Sequence, residues 1–542
     1  MAAVYVKSRW EGESGILATI SVVLASAEKA QSEDRRLEHK FGATLVSLLT
    51  LAAVVVHGYH PYAEDGGLYL AGVKKLLRPD LYPHWPEFVT EHLRFSLFAP
   101  MVAGLVRETH VNLMTVMLTL HVVSFWATLF AAWQLAARCY ESREARCGAV
   151  ALLAVWLTIP VAGTSLMLMD PYVSARSLST PCGLLALVGM LDFMTMRRDP
   201  GPQRWYGLAL CGGAFVIAAL MHPLMAAYTL GCLLLLAFLL IDDRTVRLAG
   251  TMGLCATAIL TAMVLCWMAP PESAAYVKVA MTRSYWFVAK WAWYEQFGLI
   301  APLAILGVVG LKRKEGAEAA GNALARVGMA AGAMAGFVAI AFGRAEAATH
   351  LVARLQPLRL FQMVYVLMIL VVGATVGGRF LRHNAVRWVA TFLLLGGVML
   401  YVERQTFPDS AHLELPWTAP QNGWEQAFVW ISRNSPVDAR FAVDAHYIEK
   451  PGEDAQTFRA IAERSVLPDY SKDGGEAAIT PELTRDWTMG QKVQTGLDTM
   501  TDVERVAELK PLGVNWVVLQ RQAVTGFACD YEGTAVKVCR LP

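Results

Sequence analysis

The sequence has few charged residues. Asp, Glu, Lys and Arg together make up 17% of its 542 residues, whereas soluble domains carry about 25%. The 47 basic and 45 acidic residues nearly cancel and leave a net charge of +2. This balance gives no support to nucleic-acid binding, which depends on a basic surface. The shortage of charge indicates that much of the chain meets lipid rather than water.

Several chemical signatures are also missing. Seven of the nine cysteines lie in or beside apolar segments, without the spacing of metal ligands. Residues 403–542 contain no glycine-rich phosphate loop and no nucleophile elbow. It shows no internal repeat, whereas transporters usually have two related halves. We therefore predict no cofactor, because a divalent metal finds no support in ligand spacing, and we place a transporter second to an enzyme.

Apolar runs are what the sequence has in abundance. Hydrophobic residues make up 55% of the chain, and the mean hydropathy is +0.40. Backbone groups cannot stay unpaired in lipid, so each long run must form a helix. We predict about eleven membrane-spanning helices. They lie at about 41–57, 112–137, 147–169, 177–196, 205–221, 224–241, 249–268, 298–311, 325–342, 358–378 and 386–402.

Basic residues select the orientation, because loops rich in Arg and Lys stay in the cytoplasm. Placing the N-terminus inside puts five such loops on the cytoplasmic side: 138–146, 197–204, 244–247, 312–326 and 379–387. The long loops then lie outside, at 58–111, 269–297 and 343–357. The C-terminus also lies outside. Long loops tend to be functional, so the sequence predicts that the chemistry takes place on the outer side.

The chain divides into three predicted parts. Residues 1–40 form a cytoplasmic or interfacial segment, because their apolar stretch at 15–26 is too short to span a bilayer. Residues 41–402 form the membrane domain. Residues 403–542 alternate helix and strand patterns, which indicates a small α/β domain of ordinary size. Its predicted elements are a helix at 424–431, strands at 440–444, 464–467 and 514–519, a helix at 501–509, and a hairpin at 527–541.

Two cysteines flank the predicted C-terminal hairpin. Cys529 and Cys539 lie near the two ends of residues 527–541. An oxidising compartment would let this pair form a disulfide.

The first outer loop carries the most informative motif, HPYAEDGGLY at residues 60–69. It places Glu64 and Asp65 side by side just after the first span. A carboxylate at the membrane edge can act as general base toward an acceptor hydroxyl, or hold a cation against a diphosphate. The alternative is a structural role, in which Asp65 caps a helix that begins at Gly66.

This acidic loop resembles that of the GT-C class of membrane glycosyltransferases. Residues 64–84, EDGGLYLAGVKKLLRPDLYPH, are similar to a group of uncharacterised bacterial GT-C-like membrane proteins, as are Phe458-Arg459 and ERSVL at 463–467. The resemblance implies many spans, a polyprenyl-phosphate-linked sugar donor and an outer C-terminal domain. It assigns the catalytic role to Asp65 first and Glu64 second. It also implies a multi-pass protein of the bacterial inner membrane with a periplasmic C-terminus.

One part of the family pattern is not evident. Oligosaccharyltransferases place a second acidic motif in a later outer loop, and only Glu272, Glu295 and Glu346 are available there. This departure argues against a metal-dependent mechanism.

A lipid-phosphate donor needs fixed cations at headgroup depth, where Arg binds phosphate through two parallel hydrogen bonds. The segment RLQPLRLFQ at 354–362 supplies Arg354, Gln356 and Arg359. Pro357 suits the first turn of a helix, so Arg359 would lie at its outer end. The alternative is an arginine that extends to the interface and anchors the span. We predict a phosphate-binding role for these three residues.

Further candidates lie at the outer ends of spans. Arg176 follows Asp170 and could bind phosphate, although an ion pair with Asp170 is the simpler role. His222 precedes Pro223 at a tight turn, where it could contact phosphate or cap a helix. His60, in the acidic loop, is a further substrate-binding candidate.

Residues 283–294 read RSYWFVAKWAWY. Phe287, Trp291 and Tyr294 would share one face of a helix. This pattern is typical of an in-plane interfacial helix. A platform on which a sugar stacks is the alternative.

These observations predict a membrane glycosyltransferase that moves a sugar from a polyprenyl-phosphate-linked donor to an extracytoplasmic acceptor. Membrane lipids would be its other partners. The alternatives are a transporter or flippase of envelope lipids, and a non-catalytic scaffold with a GT-C-like fold, since a fold does not imply an activity.

Overall fold

A computed structural model describes residues 37–156, 160–195, 201–312 and 317–542. Within these ranges, nine helices are long and apolar enough to cross a membrane. The chain is therefore a helical multi-pass membrane protein. The nine helices are Leu37–His57, Leu113–Cys139, Ala175–Thr195, Pro202–Met221, Arg244–Met268, Trp293–Gly310, Glu318–Phe342, Leu351–Leu381 and Ala385–Thr406.

Some predictions fall outside the described ranges. Residues 1–36 hold most of the predicted N-terminal segment, including the apolar stretch 15–26. Residues 196–200 and 313–316 hold part of two predicted basic loops.

Two predicted spans are shorter than expected. The run at 224–241 forms a helix of 17 residues, Pro223–Leu239. Among the described residues of the run at 147–169, helix covers only the 13-residue segment Arg143–Val155, and residues 157–159 lie outside the described ranges. A helix of this length rises about 20 Å, less than the roughly 30 Å hydrocarbon core. From Pro160 to Ser174 the chain is irregular. The predicted count of about eleven spans is therefore not confirmed.

The spans differ in how much lipid they meet. In an apolar stretch of 18 residues within Arg244–Met268, only 6% of the residues are buried in protein. The same share is buried in the corresponding stretch of Ala385–Thr406. The corresponding value for Leu351–Leu381 is 78%. The first two helices thus face lipid, while the third lies mostly inside the bundle and includes Arg359 near its start.

The first outer loop folds into short helices. They are Glu64–Leu77, Glu87–Thr90 and Phe98–Thr109, with a 3-10 turn at Glu91–Phe95. In the second predicted outer loop, the helix Ala274–Met281 precedes two 3-10 turns at Ser284–Trp286 and Val288–Lys290.

The C-terminal residues form a five-stranded mixed sheet in the order β2-β1-β3-β5-β4. Strands β1 and β3 pair in parallel, as do β1 and β2, while β5 is antiparallel to β3 and β4. The strands are β1 (Arg440–Val443), β2 (Ser465–Val466), β3 (Trp516–Gln520), β4 (Cys529–Glu532) and β5 (Val536–Arg540). The helices are Gly423–Asn434, Phe458–Ala462, Lys472–Ile479, Thr484–Gln494 and Asp502–Leu509.

Alternation along the strands gives this sheet two apolar faces, as the two-residue period of a strand requires. In β3, Trp516 and Val518 pack with the helix Gly423–Asn434 on one face. Val517 and Leu519 pack with Leu509 on the other face. Thr501 caps the helix Asp502–Leu509 in a capping box with Glu504, as the sequence pattern predicts. A disulfide joins Cys529 of β4 to Cys539 of β5.

The tail packs tightly on the first outer loop, and residues 50–542 form one compact unit. Ala63 bridges to Gln456, and the amide N–H of Glu64 donates to the Ala455 carbonyl at 3.1 Å. The Tyr82 hydroxyl donates to the Arg459 carbonyl at 2.8 Å. These bonds hold the acidic loop against the tail.

Candidate functional site

Asp65 lies in the first turn of a helix but does not cap it. The helix begins at Glu64, with Ala63 in the N-cap position and no side-chain cap bond. The capping alternative for Asp65 is therefore contradicted. One third of the Asp65 side chain is exposed, and its carboxylate faces cations from two other segments: Arg176 Nη1 at 3.7 Å and Lys472 Nζ at 4.0 Å.

Arg176 bridges two carboxylates. It lies in the first turn of the span helix Ala175–Thr195 and is 3% exposed. Its Nη2 donates to Asp170 Oδ2 at 2.8 Å, the ion pair that the sequence suggested. Asp170 comes from the irregular chain before this span. Burial raises the pKa of Asp170 and outweighs the opposing effect of Arg176. Asp170 is a second carboxylate near Asp65 that the sequence analysis did not select.

Lys472 is a site residue that sequence reasoning missed. It begins the tail helix Lys472–Ile479 and forms an ion pair with Glu64, 408 positions earlier. Burial alone would lower the pKa of Lys472, but Glu64 and Asp65 outweigh burial and raise it. No sequence motif marks this lysine, because only the docking of the tail brings it to the acidic loop.

The charge state of Asp65 follows from its surroundings. Burial alone would raise the pKa of Asp65, but Lys472, Arg176, Arg359 and His222 together lower it. The carboxylate is therefore ionised at neutral pH. The same interactions show that four cationic or basic groups lie within electrostatic reach of Asp65, three of which were predicted from the sequence.

His222 lies between two span helices. Its Nδ1 accepts a hydrogen bond from the Met225 backbone N–H at 3.4 Å, so it caps the helix Pro223–Leu239. It combines this capping role with a position near the charged groups.

Arg359 lies in the 3-10 turn Pro357–Leu360, which leads into the helix Phe361–Thr375. Its Nε is buried and has no hydrogen-bond partner in the part of the chain that the structure describes. Arg359 also lines a small hollow, together with Gln356. Of the three predicted residues of this segment, the structure thus brings Arg359 and Gln356 together. Arg354 instead interacts electrostatically with the Tyr276 side chain.

His60 belongs to a separate buried cluster. Its Nδ1 lies 2.8 Å from Glu414 Oε1 and its Nε2 lies 2.7 Å from Glu403 Oε1. The ring stacks on Phe407 at 4.1 Å between centroids. Since both ring nitrogens are occupied, the function proposed below does not use His60.

The aromatic run at 283–294 does not form an interfacial helix. It folds into two 3-10 turns, and Phe287 and Trp291 are 1% and 5% exposed. The predicted in-plane helix is therefore wrong for this part of the run. Trp293 and Tyr294, which begin the span helix Trp293–Gly310, are exposed.

The described residues offer no candidate metal-binding site. In the described ranges, no group of three or more His, Cys, Asp or Glu side chains is arranged so that it could hold a metal ion. The absence of a cofactor stays a prediction.

Comparison with known proteins gives weak likenesses only. No protein family matches the chain, and no curated protein does. One solved structure that is similar is the archaeal oligosaccharyltransferase AglB from Archaeoglobus fulgidus, in complex with an inhibitory peptide and a dolichol-phosphate. It is 12% identical, with 90% of this chain and 70% of AglB covered and a TM-score of 0.39.

A second similar structure is the arabinofuranosyltransferase AftD from Mycobacteria. It is 12% identical, with 93% of this chain covered and a TM-score of 0.49. The chain spans only 41% of the length of AftD. Both proteins are GT-C membrane glycosyltransferases, the class that the sequence resembles. Because both TM-scores are below 0.5, no residue role below rests on them.

Proposed function

We propose that this protein is a membrane glycosyltransferase. It would move a sugar from a polyprenyl-phosphate-linked donor to an acceptor on the outer side of the bacterial inner membrane. The observation that carries the proposal is the partly exposed Asp65 carboxylate, held between Arg176 and Lys472 and within electrostatic reach of Arg359. A base beside fixed cations is the arrangement that transfer from a phosphate donor needs.

The chemistry assigns a role to each group. Asp65 takes the proton of the acceptor hydroxyl, whose oxygen forms the new bond to the anomeric carbon. The bond from that carbon to the phosphate oxygen breaks, and the electron pair leaves with the phosphate. Arg359 and Arg176 hold the phosphate as its negative charge increases. Direct displacement of this kind inverts the anomeric carbon.

Phosphate binding would also adjust the strength of the base. The cations that lower the pKa of free Asp65 become partly neutralised once a phosphate lies among them. Because a nearby negative charge raises the pKa of a carboxylate, the donor itself would make Asp65 a stronger base.

The outer location has two supports. Basic residues concentrate in the loops assigned to the cytoplasm, and the Cys529–Cys539 disulfide is typical of an oxidising compartment. Both favour a periplasmic tail. They also favour a donor that reaches Asp65 from the outer leaflet.

The experiment is a substitution in a deletion strain. Asp65→Asn keeps the size of the side chain and removes the base, so we expect complementation to lose glycan assembly. Asp80→Asn is the matched control, since Asp80 is exposed in the same loop and forms an ion pair only with Arg78 among the residues that the structure describes. Normal glycan assembly with Asp65→Asn, at equal protein level, would contradict the proposal.

A further inference from the structure

Tyr69 is the last residue of the motif HPYAEDGGLY, and the function proposed above gives it no role. It lies on the helix Glu64–Leu77, four residues after Asp65. Residues four apart share one face of a helix, and long side chains point back toward the start of the helix. The Tyr69 side chain therefore extends along the helix toward the proposed base.

Two aromatic side chains fix the position of the Tyr69 ring. His92 makes a T-shaped contact with it, with 5.4 Å between the ring centroids, and Phe98 makes another at 5.3 Å. The ring also packs against the apolar core of the first outer loop. T-shaped pairs are favourable arrangements of aromatic rings, so two of them hold the ring, and with it the hydroxyl, in one place.

The charged groups around Tyr69 come from four separate segments. Asp65 precedes it on the same helix, and Arg176 begins a span helix. Glu476 belongs to the tail, and Arg359 lies in the turn before another span. All four groups act electrostatically on the Tyr69 hydroxyl. The hydroxyl thus lies where the acidic loop, the tail and the two arginines assigned to the phosphate converge.

The Tyr69 hydroxyl is free to bond to a ligand. The side chain is only partly buried, and its hydroxyl has no hydrogen-bond partner among the residues that the structure describes. Burial raises the pKa of Tyr69, and Asp65 adds to this increase while Arg176 opposes it. The phenol therefore keeps its proton at neutral pH. Toward a neighbouring anion it acts as a hydrogen-bond donor.

The neighbouring arginines indicate which anion this is. A phosphate held by Arg176 and Arg359 lies beside a phenol on which both guanidinium groups act. A hydrogen bond from an O–H group to an ionised oxygen is short and roughly twice as strong as a bond between neutral groups. The Tyr69 hydroxyl would thus add a neutral donor to the two charged donors around the phosphate.

We propose that the Tyr69 hydroxyl donates a hydrogen bond to the phosphate of the sugar donor and is a further catalytic residue. The inference rests on the function proposed above, in which the two arginines hold this phosphate. The phosphate diester carries one negative charge, whereas the monoester that leaves carries close to two at neutral pH. The bond from Tyr69 therefore strengthens as the bond to the anomeric carbon breaks, while the proton stays on the phenol. Such a bond stabilises the transition state more than the bound donor.

The test measures ligand binding to the purified full-length protein in lipid nanodiscs by calorimetry, with empty nanodiscs as the blank. The probes are a short-chain prenyl phosphate and the corresponding prenyl alcohol, which lacks the phosphate. Tyr69→Phe keeps the ring and its contacts with His92 and Phe98 and removes only the hydroxyl. Tyr401→Phe is the matched control, because Tyr401 is 64% exposed on the lipid-facing helix Ala385–Thr406. The rate of glycan assembly is measured for each variant in the complemented deletion strain.

We expect wild-type protein to bind the prenyl phosphate at least tenfold more tightly than the prenyl alcohol. Tyr69→Phe should lose about tenfold in affinity for the prenyl phosphate, as for one hydrogen bond to a charged group. Its affinity for the prenyl alcohol should stay unchanged, which also shows that the variant is folded. Glycan assembly should slow by about tenfold or more, and Tyr401→Phe should behave like wild type.

Three results would overturn the inference. If Tyr69→Phe binds the prenyl phosphate like wild type, the hydroxyl does not contact the phosphate, and slower glycan assembly would then assign it to the acceptor. If Tyr69→Phe loses equal affinity for the phosphate and the alcohol, Tyr69 only shapes the site. In both cases the proposed function stands. If wild-type protein binds the prenyl phosphate no more tightly than the alcohol, the proposed function fails together with the inference.

Discussion

Lys472 connects two parts of the chain that lie far apart in sequence. It pairs with Glu64 and lies 4.0 Å from Asp65, so the tail contributes a charge to the acidic loop. The sequence predicts the tail only as a small α/β domain, without a role in the site. The structure gives it a more direct part, because one of its side chains sets the charge balance around the proposed base.

Replacing Lys472 by Met should change how transfer depends on pH. Lys472 lowers the pKa of Asp65, so its loss raises that pKa and protonates the base at higher pH. We expect the acidic limb of the rate-versus-pH curve to move to higher pH by about one unit, because a single opposite charge this close to a carboxylate changes its pKa by about that amount. The measurement is sugar transfer in isolated membranes across pH.

Two variants make this result interpretable. Lys472→Arg keeps the charge and should restore the wild-type limb, while Lys492→Met removes an exposed tail lysine and should change nothing. A uniform loss of rate without movement of the limb would assign Lys472 a purely structural role.

His60 makes stability depend on pH. Burial alone would lower its pKa, but hydrogen bonds to Glu403 and Glu414 raise the pKa of His60 to about 8, above the unfolded value of about 6.5. A group whose pKa rises on folding stabilises the protein while it is protonated. This contribution is complete below about pH 6.5 and is lost as the pH rises through about 8. A shift of this size corresponds to roughly 2 kcal/mol.

Thermal unfolding in detergent at pH 6 and pH 9 checks this expectation. Wild-type protein should lose several degrees more between these pH values than His60→Gln does. His383→Gln is the control, since the His383 side chain is 90% exposed. An equal pH dependence of wild type and His60→Gln would show that the cluster does not couple protonation to folding.

At the scale of elements, close packing explains why two glycines follow the acidic pair. A Cβ at Gly66 would lie 2.7 Å from Tyr172 Cβ, and one at Gly67 would clash with Thr457. The two glycines let the loop helix approach the tail on one side and the chain near Asp170 on the other. Their place beside Asp65 is therefore a packing requirement that also positions the carboxylate.

Gly67→Ala should destabilise the protein although alanine favours helices. The clash with Thr457 should outweigh the roughly 0.5–1 kcal/mol that alanine gains in a helix, since overpacking costs about 1–3 kcal/mol. Gly104→Ala is the matched control, because nothing lies within 4 Å of a Cβ there. Thermal unfolding should give a lower midpoint for Gly67→Ala and a slightly higher one for Gly104→Ala. Equal midpoints would contradict this account of the packing.

The elements show which sequence signals were informative. Strand alternation and the Thr501–Glu504 pattern predicted β1, β3 and the helix Asp502–Leu509 closely, because these signals are local. The span at 147–169 was not predicted correctly. Apolar composition alone does not distinguish a full span from a short helix followed by irregular chain, and this irregular chain carries Asp170.

At the scale of the whole molecule, the site depends on contacts that no local pattern encodes. Asp65 and Arg359 were predicted from composition at the outer ends of spans and from family resemblance. Lys472 was not predicted, because it reaches the site only when the tail docks on the acidic loop. The local sequence thus predicted that the acidic loop is functional. The packing of residues 50–542 as one unit determines which cations surround this loop.

The central claim is that Asp65 acts on a donor whose phosphate is held by the neighbouring cations. Its most direct test uses purified wild-type protein and Asp65→Asn in nanodiscs, with a radiolabelled prenyl-phosphoryl sugar and acceptor lipid from the deletion strain. Donor binding and sugar transfer are measured on the same preparation. We predict donor binding within about twofold of wild type, and transfer reduced by about 10²–10⁴, as expected for the loss of a general base. Transfer by Asp65→Asn at the wild-type rate would contradict the account.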